Sequence, residues 1–145
     1  MYSQNDFNVL LIDDNERQAD IIINTLKSST VNKVNVFWHK SGRTALDFLN
    51  TKGSPNISLI LLEIEISDLS GDELVIHIKN DSSPHKIIPI IIFPNSKNQT
   101  LITHYFTLGI NSWVRKPSEP NILRETINFI HDFWFNHAIL PPTLT

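Results

Sequence analysis

The sequence predicts an α/β fold in which a five-stranded parallel sheet carries helices on both faces. Short apolar runs rich in β-branched residues and Leu recur five times, and segments with helical spacing separate them. The 145 residues are a usual length for one domain. Parallel strands joined by helices need right-handed crossovers, which place helices on both sides of the sheet. We expect one domain over residues 1–137 and a C-terminal tail over residues 138–145.

Each predicted strand is an apolar run without strict polar alternation, as expected for a strand that is buried on both faces. The runs cover residues 9–12, 34–38, 57–62, 87–93 and, more weakly, 112–114. Pro89 cannot donate a hydrogen bond to a neighbouring strand. The fourth strand is therefore expected to begin after Pro89 and to pair over residues 90–93.

Apolar residues at helical spacing predict a helix after each strand. In the first three helices these residues are Ile22 and Leu26, then Ala45, Leu46 and Leu49, then Leu74 and Ile78. The fourth helix is predicted over residues 98–108, with Gly109 in the position of a helix C-cap. The fifth is expected to begin at Ser118, an N-cap candidate that is followed by Glu119 and Pro120.

The composition excludes several classes of function. Twelve Lys and Arg against fifteen Asp and Glu give a net charge of -3, which offers no basic excess for binding a nucleic-acid backbone. The chain has no cysteine, so it has no disulfide scaffold, thiolate nucleophile or Cys-ligated zinc. Residues 2–8 lack the basic and apolar regions of a signal peptide. We therefore expect a cytoplasmic protein that binds neither nucleic acid nor membrane.

Polar residues follow four of the predicted strands, at the edge where open parallel sheets bind ligands. They are Asp13 and Asp14, then Glu63, then Pro94 with Asn95 and Ser96, then Lys116 with Pro117. Three carboxylates gathered beside one lysine would repel one another unless the ammonium or a divalent cation offset them. The pattern favours a hard-cation site, with Mg²⁺ as the natural ion. The alternative is that Asp14 or Asn15 only caps the first helix.

These residues lie in motifs that resemble the receiver domains of bacterial two-component response regulators, over essentially the whole chain. The motifs are LLIDDN at residues 10–15, Ser41-Gly42, LILLE at 59–63 with Gly71 after it, IPIII at 88–92 and WVRKP at 113–117. The resemblance implies a flavodoxin-like fold with strand order 2-1-3-4-5.

The resemblance also implies a role for each residue at the sheet edge. The ligands of Mg²⁺ would be Asp13, Asp14, Glu63 and the backbone carbonyl of Glu65. Lys116 would grip a phosphoryl group, and Trp113 stands where the family has an aromatic residue that reports the switch. The bond between Lys116 and Pro117 would be cis, as is usual in that family.

Two residues depart from the family pattern, and both belong to the phosphoryl chemistry. The family has a nucleophilic Asp after the third strand, whereas this chain has Glu63, whose carboxylate lies about 1.5 Å farther along the side chain. Such a carboxylate would partly imitate the phosphorylated state. Pro94 stands where the family has a Ser or Thr hydroxyl, and it has neither a hydroxyl nor an N–H. Ser96 and Asp68 are not expected to take over these two roles.

The last helix carries apolar residues on more than one stripe. Its predicted core face comprises Leu123, Ile127, Ile130 and Trp134. Ile122, Phe129 and either Phe133 or Phe135 fall partly outside this face, which favours a protein interface. The Phe-Trp and Leu-Pro tail resembles that of stand-alone receivers associated with cyanobacterial phytochromes, which form homodimers. The alternative is a tail that folds back over its own domain and covers these rings.

Together the residues and the resemblance favour a stand-alone receiver-like module that has lost or impaired phosphorylation and acts by protein contact, not as an enzyme. The implied contact surface, which would form a homodimer, covers residues 100–108, 112–115 and 122–135 and the tail. The implied partner is a sensor histidine kinase or a phytochrome-like photoreceptor. The alternatives are a receiver phosphorylated on a non-standard acceptor and, from another class, a Mg²⁺-dependent phosphoryl-transfer hydrolase.

Overall fold

Five parallel strands form one sheet in the order β2-β1-β3-β4-β5, which confirms the predicted fold class and strand order. The computed structural model describes residues 6–95 and 100–142. The strands are β1 Asp6–Ile12, β2 Lys33–His39, β3 Leu59–Leu62, β4 Ile90–Ile92 and β5 Ser112–Trp113. The helices are α1 Glu16–Lys27, α2 Gly42–Asn50, α3 Gly71–Lys79, α4 Thr100–Thr107 and α5 Pro120–Asp132. A π-helical turn over Phe133–His137, here called the π-turn, continues α5.

Alternate residues of the central strands enter two separate cores, which is why these strands carry apolar side chains at successive positions. The core beneath α2, α3 and α4 takes Leu10, Ile12, Ile60, Leu62, Ile90 and Ile92. The core beneath α1 and α5 takes Val9, Leu11, Leu59, Leu61, Ile91 and Phe93. The aligned register of the strands brings the ends of β1, β3, β4 and β5 to one edge of the sheet.

Side chains cap three of the helices, although one predicted cap is wrong by one residue. Asn15 caps α1 by accepting a hydrogen bond from the N–H of Gln18 at 3.0 Å. The predicted cap of α5 at Ser118 is wrong, because the carboxylate of Glu119 accepts from the first N–H groups of that helix and Pro120 occupies its first turn. The predicted start of the fourth helix at residue 98 lies outside the described residues.

Two glycines are required by the backbone around them. Gly109 follows α4 with a φ of 103°, in the left-handed region expected for the predicted C-cap. At Gly42, a Cβ would lie 2.7 Å from the carbonyl oxygen of Leu69. Only glycine therefore lets α2 begin this close to the loop that leads from β3 to α3.

The π-turn changes which aromatic residue of the last helix enters the core. A π-helical turn takes one more residue than an α-turn, so Phe135 instead of the predicted Trp134 follows Ile130 into the core. Phe135 is buried and stacks on Phe7 with ring centroids 4.2 Å apart, whereas Trp134 packs only partly against the same core. Trp134 therefore reaches the predicted core only in part, and of Phe133 and Phe135 it is Phe133 that lies outside the core face.

Three apolar side chains of α5 and the π-turn remain on the surface. Ile122, Phe129 and Phe133 are 50%, 73% and 54% exposed, and we call them the α5 stripe. In the described part of the tail, Leu140 packs against the core that contains Phe135, while Phe129 and Phe133 are more than half exposed. Among the described residues, no helix has the length and apolar character needed to span a membrane.

We expect Phe135→Ala to lower the free energy of unfolding by about 3–5 kcal/mol, since it empties a buried ring position in the core. Phe133→Ala, on the exposed side of the same turn, should cost less than about 1 kcal/mol. Urea unfolding followed by circular dichroism measures both. An equal loss in free energy of unfolding for the two variants would contradict the assignment of Phe135 to the core and of Phe133 to the surface.

Candidate functional site

Three charged side chains converge in the interior at the carboxyl edge of the sheet. Asp13 follows β1, Glu63 follows β3 and Lys116 lies beyond β5, and they are 1%, 4% and 3% exposed. The Nζ of Lys116 lies 2.6 Å from Oδ2 of Asp13 and 3.1 Å from Oε1 of Glu63. One ammonium thus offsets two buried carboxylates, which is one of the two solutions expected for this cluster.

Asp13 is fixed from several directions. Its Oδ1 accepts from the N–H of Asn15 at 2.9 Å, and its own N–H donates to the carbonyl of His39 at 3.0 Å. The indole Nε1 of Trp38 donates to the carbonyl of Asp13 at 2.8 Å. Burial raises the pKa of the Asp13 carboxyl, and the ammonium of Lys116 works against that rise.

Glu63 uses its longer side chain to bond backbone groups of two loops. Its Oε2 accepts from the N–H groups of Ile64 at 2.9 Å and Glu65 at 3.3 Å. Its Oε1 accepts from the N–H of Asn95 at 3.2 Å, in the loop after β4, in addition to the ammonium of Lys116. Both carboxylate oxygens of Glu63 are therefore already bound by donors of the protein.

Lys116 is held in place by its main chain as well as by its ion pairs. Its N–H donates to the carbonyl of Pro94 at 3.0 Å, which continues the pairing of β5 with β4. Its Nζ lies 6.0 Å from the centroid of the Phe93 ring. The predicted cis bond before Pro117 is wrong, since no described peptide bond is cis. The trans form, which X-Pro bonds intrinsically prefer, already lets Lys116 reach both carboxylates.

A pair of amides that the sequence reasoning missed spans the same edge. Gln18 on α1 and Asn95 exchange side-chain hydrogen bonds of 3.2 and 3.4 Å. With its main chain on Glu63 and its side chain on Gln18, Asn95 ties the loop after β4 to both β3 and α1. The only signal in the sequence is that Gln18 lies in the first turn of α1, beside the acidic pair.

The remaining predicted site residues lie farther from the buried cluster. Asp14 is exposed, and its side chain forms no hydrogen bond or ion pair within the described chain. The side chain of Glu65 is also exposed. Asp68 adopts a φ of 65° and accepts from the N–H of Arg43 at 3.2 Å, so it helps to cap α2. Ser96 lies outside the described residues.

The aromatic residue at the switch position is packed. Trp113 is half-buried and meets the ring of Tyr105, on α4, edge-on at 5.7 Å. Tyr105 is buried, and burial raises the pKa of its phenol well above the ordinary value. A Cβ at Gly71 would lie 2.7 Å from the Tyr105 hydroxyl, so Tyr105 fills the space between α3, α4 and β5.

The side chains present are a poor match to a tight metal site. Across residues 6–95 and 100–142, no group of three or more His, Cys, Asp or Glu side chains is arranged to hold a metal ion. All four carboxylate oxygens of Asp13 and Glu63 already accept hydrogen bonds or ion pairs. Among the predicted carboxylate ligands, Asp14 alone has no partner within residues 6–95 and 100–142.

Comparison with known proteins points to one family. A family model of the response regulator receiver domain matches residues 9–128. Response regulator Rcp1 of Synechocystis sp. (strain ATCC 27184 / PCC 6803 / Kazusa) is 26% identical over 137 residues, which span 92% of each chain. Two-component response regulator ORR5 of Oryza sativa subsp. japonica is 30% identical over 113 residues, which span 78% of this chain and 80% of the relative.

Solved structures with similar folds include response regulators of phytochromes. The phosphorylated cyanobacterial phytochrome response regulator RcpA superposes with a TM-score of 0.87 at 27% identity, over 94% of this chain and 99% of that chain. The Mn²⁺-bound form of Rcp1 has a TM-score of 0.86 at 26% identity, over the same shares of the two chains.

We expect Lys116→Met to lower the free energy of unfolding by about 3–5 kcal/mol at pH 7, because it leaves two buried carboxylates without their cation. Without Lys116 the pKa of Asp13 rises further. The folded variant then takes up a proton at a higher pH than the unfolded chain, in which the pKa of Asp is about 3.9. The loss in free energy of unfolding caused by Lys116→Met therefore becomes smaller as the pH falls toward that value. Denaturant unfolding between pH 4 and pH 8 measures this dependence.

Lys40→Met is the matched control, since Lys40 pairs with Glu16 at 2.7 Å on the surface. It should cost less than about 1 kcal/mol and show little dependence on pH. A Lys116→Met variant that is no less stable than Lys40→Met would contradict the role assigned to the buried ammonium.

Proposed function

The chain belongs to the response regulator receiver family, and on that premise we propose that it signals in a two-component system without phosphorylation of its acceptor position. The observation that carries this proposal is the bonding of the Glu63 carboxylate. Both of its carboxylate oxygens are bound by donors of the protein, and one of them lies 3.1 Å from Lys116. The module acts by protein contact and has no catalytic turnover of its own.

The geometry of Glu63 argues against an efficient phosphoryl acceptor. A nucleophilic carboxylate needs an oxygen free to attack the phosphorus, and catalysis of phosphoryl transfer depends mainly on positioning. The extra methylene of Glu displaces the carboxylate by about 1.5 Å, and a displacement near 1 Å can already cost about a hundredfold in rate. Glu63 thus occupies the space next to Lys116 that a phosphoryl group would need.

Pro94 removes the second part of the phosphoryl chemistry. It is buried, and its carbonyl accepts from the N–H of Lys116 at 3.0 Å. A proline offers no hydroxyl that could follow a phosphoryl group. Glu63 instead reaches the N–H of Asn95 in the same loop, so it partly imitates a phosphorylated acceptor and holds the loop without a modification.

Divalent cations are proposed to bind this edge weakly. Asp14 follows Asp13 in the chain and offers an exposed carboxylate, and carboxylate oxygens are the ligands that Mg²⁺ prefers. A cation here must compete with Lys116, which already neutralises part of the charge of Asp13 and Glu63. One solved relative is described as a Mn²⁺-bound form, and this chain is proposed to hold such an ion less firmly.

The output surface is proposed to be the α5 stripe together with α4, β5 and the tail, and a second copy of the chain is its proposed occupant. Two large aromatic side chains more than half exposed on neighbouring turns, Phe129 and Phe133, are uncommon on a surface without a partner. Several solved relatives are named as phytochrome or bacteriophytochrome response regulators. A cytoplasmic histidine kinase of the phytochrome type is therefore the proposed upstream partner.

We expect no phosphoryl adduct on the natural chain after incubation with acetyl phosphate and Mg²⁺, and an adduct on Glu63→Asp. The shorter carboxylate would restore the acceptor geometry beside Lys116. Intact-protein mass spectrometry measures both chains under the same conditions, and Glu63→Gln serves as a control without a nucleophile. An adduct on the natural chain would contradict the proposal, and peptide mapping to Asp14 would identify a non-standard acceptor.

The Glu63→Asp variant should not change its assembly on phosphorylation, because Pro94 still lacks the hydroxyl that couples the site to the loop. Light scattering with and without acetyl phosphate measures this. A phosphorylation-dependent change in the mass of the assembly would show that the account of Pro94 is wrong.

We expect the double variant Ile122→Gln/Phe129→Gln to weaken self-association by at least about tenfold, because two apolar side chains at the proposed interface lose their burial. Sedimentation velocity over a range of concentrations measures the dissociation constant. Ile76→Gln is the control, since Ile76 is 50% exposed on α3, away from the stripe. A monomeric natural chain, or equal effects of the two variants, would contradict the proposed dimer surface.

A further inference from the structure

A buried polar residue joins the start of β2 to the end of the chain. Asn32 precedes β2 and is 5% exposed. Its Nδ2 donates to Oδ1 of Asn136 at 2.8 Å and lies 3.3 Å from Nε2 of His131. These contacts link residues about a hundred positions apart in sequence. Asp13, Glu63 and Lys116 take no part in them.

The carboxylate of Asp132 fixes which atoms donate and which accept in this network. Asp132 is a carboxylate and can only accept, and its Oδ1 takes a hydrogen bond from Nδ2 of Asn136 at 3.0 Å. The carbonyl of Asn136 therefore faces Asn32 and accepts from it. The amide nitrogen of Asn32 has a second N–H, which is directed at Nε2 of His131. In this arrangement that ring nitrogen accepts, which requires a neutral ring that carries its proton on Nδ1.

We propose that Asn32, His131, Asn136 and Asp132 form a proton-sensitive latch that holds the π-turn and the tail against the loop between α1 and β2, and that protonation of His131 opens it. The latch goes beyond the function proposed for the carboxyl edge of the sheet and does not depend on it.

A proton on Nε2 of His131 would place two donors against each other. Turning the amide of Asn32 would relieve that contact, but it would set the Asn32 carbonyl against the Asn136 carbonyl. Turning Asn136 as well would direct its carbonyl at the carboxylate of Asp132. Every rearrangement therefore loses at least one hydrogen bond. Leaving a buried donor or acceptor without a partner destabilises the closed arrangement.

The latch controls the packing of the end of the chain. The ring of His131 meets Phe135 edge-on at 5.4 Å, and Phe135 in turn stacks on Phe7. The π-turn is closed by the N–H of Ala138, which donates to the carbonyl of Phe133 at 2.7 Å. Loss of the contact with Asn32 thus removes the hydrogen bond that fixes the π-turn to the loop before β2. The same turn places Phe135 in the core and Phe133 on the surface.

The charges around His131 come mainly from its own helix. Burial lowers the pKa of His131, and the neighbouring carboxylate of Asp132 works in the opposite direction. Oδ2 of Asp132 also lies 3.2 Å from Nε2 of His137. Lys27 at the end of α1 and Lys33 at the start of β2 form no ion pair within the described chain.

The direction of the pH effect follows from this lowered pKa. A histidine whose pKa is depressed in the closed state stabilises that state above its ordinary pKa of about 6.5, and this stabilisation is lost as pH falls through the depressed value. Acidification should therefore open the latch. Each unit of depression corresponds to about a tenfold loss of closure once the ring is protonated.

Nuclear magnetic resonance of the full chain tests the latch directly. Long-range ¹H–¹⁵N correlation spectra at pH 7.5 should show His131 as the neutral form protonated on Nδ1, and a pH titration should place its pKa below the ordinary value. The hydrogen-exchange protection factor of the Ala138 N–H should fall about tenfold for each unit of that depression as the ring is protonated. A ring protonated on Nε2, or a protection factor independent of pH, would overturn the proposal.

His131→Gln provides a matched variant, since a Gln carbonyl can accept from Asn32 but does not titrate in this range. It should keep the protection of Ala138 and lose its dependence on pH; retention of the pH dependence would show that another group, such as His137, is responsible. Repeating the measurements in the Ile122→Gln/Phe129→Gln background separates opening of the latch from dissociation of a dimer. An effect confined to the self-associating chain would overturn the latch and leave the dimer proposal standing.

Discussion

The architecture of the carboxyl edge depends on one ammonium. Asp13 and Glu63 are carried into the interior by β1 and β3, and neither could remain ionised there without a nearby cation. Lys116 supplies it, at 2.6 and 3.1 Å. This requirement constrains the edge strand β5, whose short pairing with β4 must bring Lys116 to the centre of the sheet edge. Backbone N–H groups of three loops bind the remaining carboxylate oxygens.

The loop after β4 is bound from three sides by this arrangement. Its Asn95 bonds Glu63 through the main chain and Gln18 through the side chain, and the carbonyl of Pro94 accepts from Lys116. The loop is thus tied to β3, α1 and the end of β5 at once. The carboxylate of Glu63 makes the first of these contacts. On the function proposed above, the side chain of Glu63 takes up the position of the phosphoryl chemistry while the buried charged cluster is kept.

Most of the fold could be predicted from the sequence, because strands buried on both faces need apolar residues at successive positions and the helices between them need one apolar stripe. The gathering of Asp13, Glu63 and Lys116 followed from the rule that parallel strands end at one edge. The cap of α5 was misplaced because Ser118 and Glu119 both offer an acceptor, and only the actual start of the helix selects Glu119. The bridge between Gln18 and Asn95 had no pattern in the sequence, since two exposed amides pair only when the fold brings them together.

The π-turn has a consequence for how relatives of this protein should be compared. In a relative whose last helix continued without such a turn, the residue four positions after Ile130 would face the core, because it would keep the spacing of an α-helix. In space, Phe135 occupies that place. A comparison with such a relative would need a shift of one position after Asp132 to pair the residues that share a structural role, and without that shift it would mix core and surface positions.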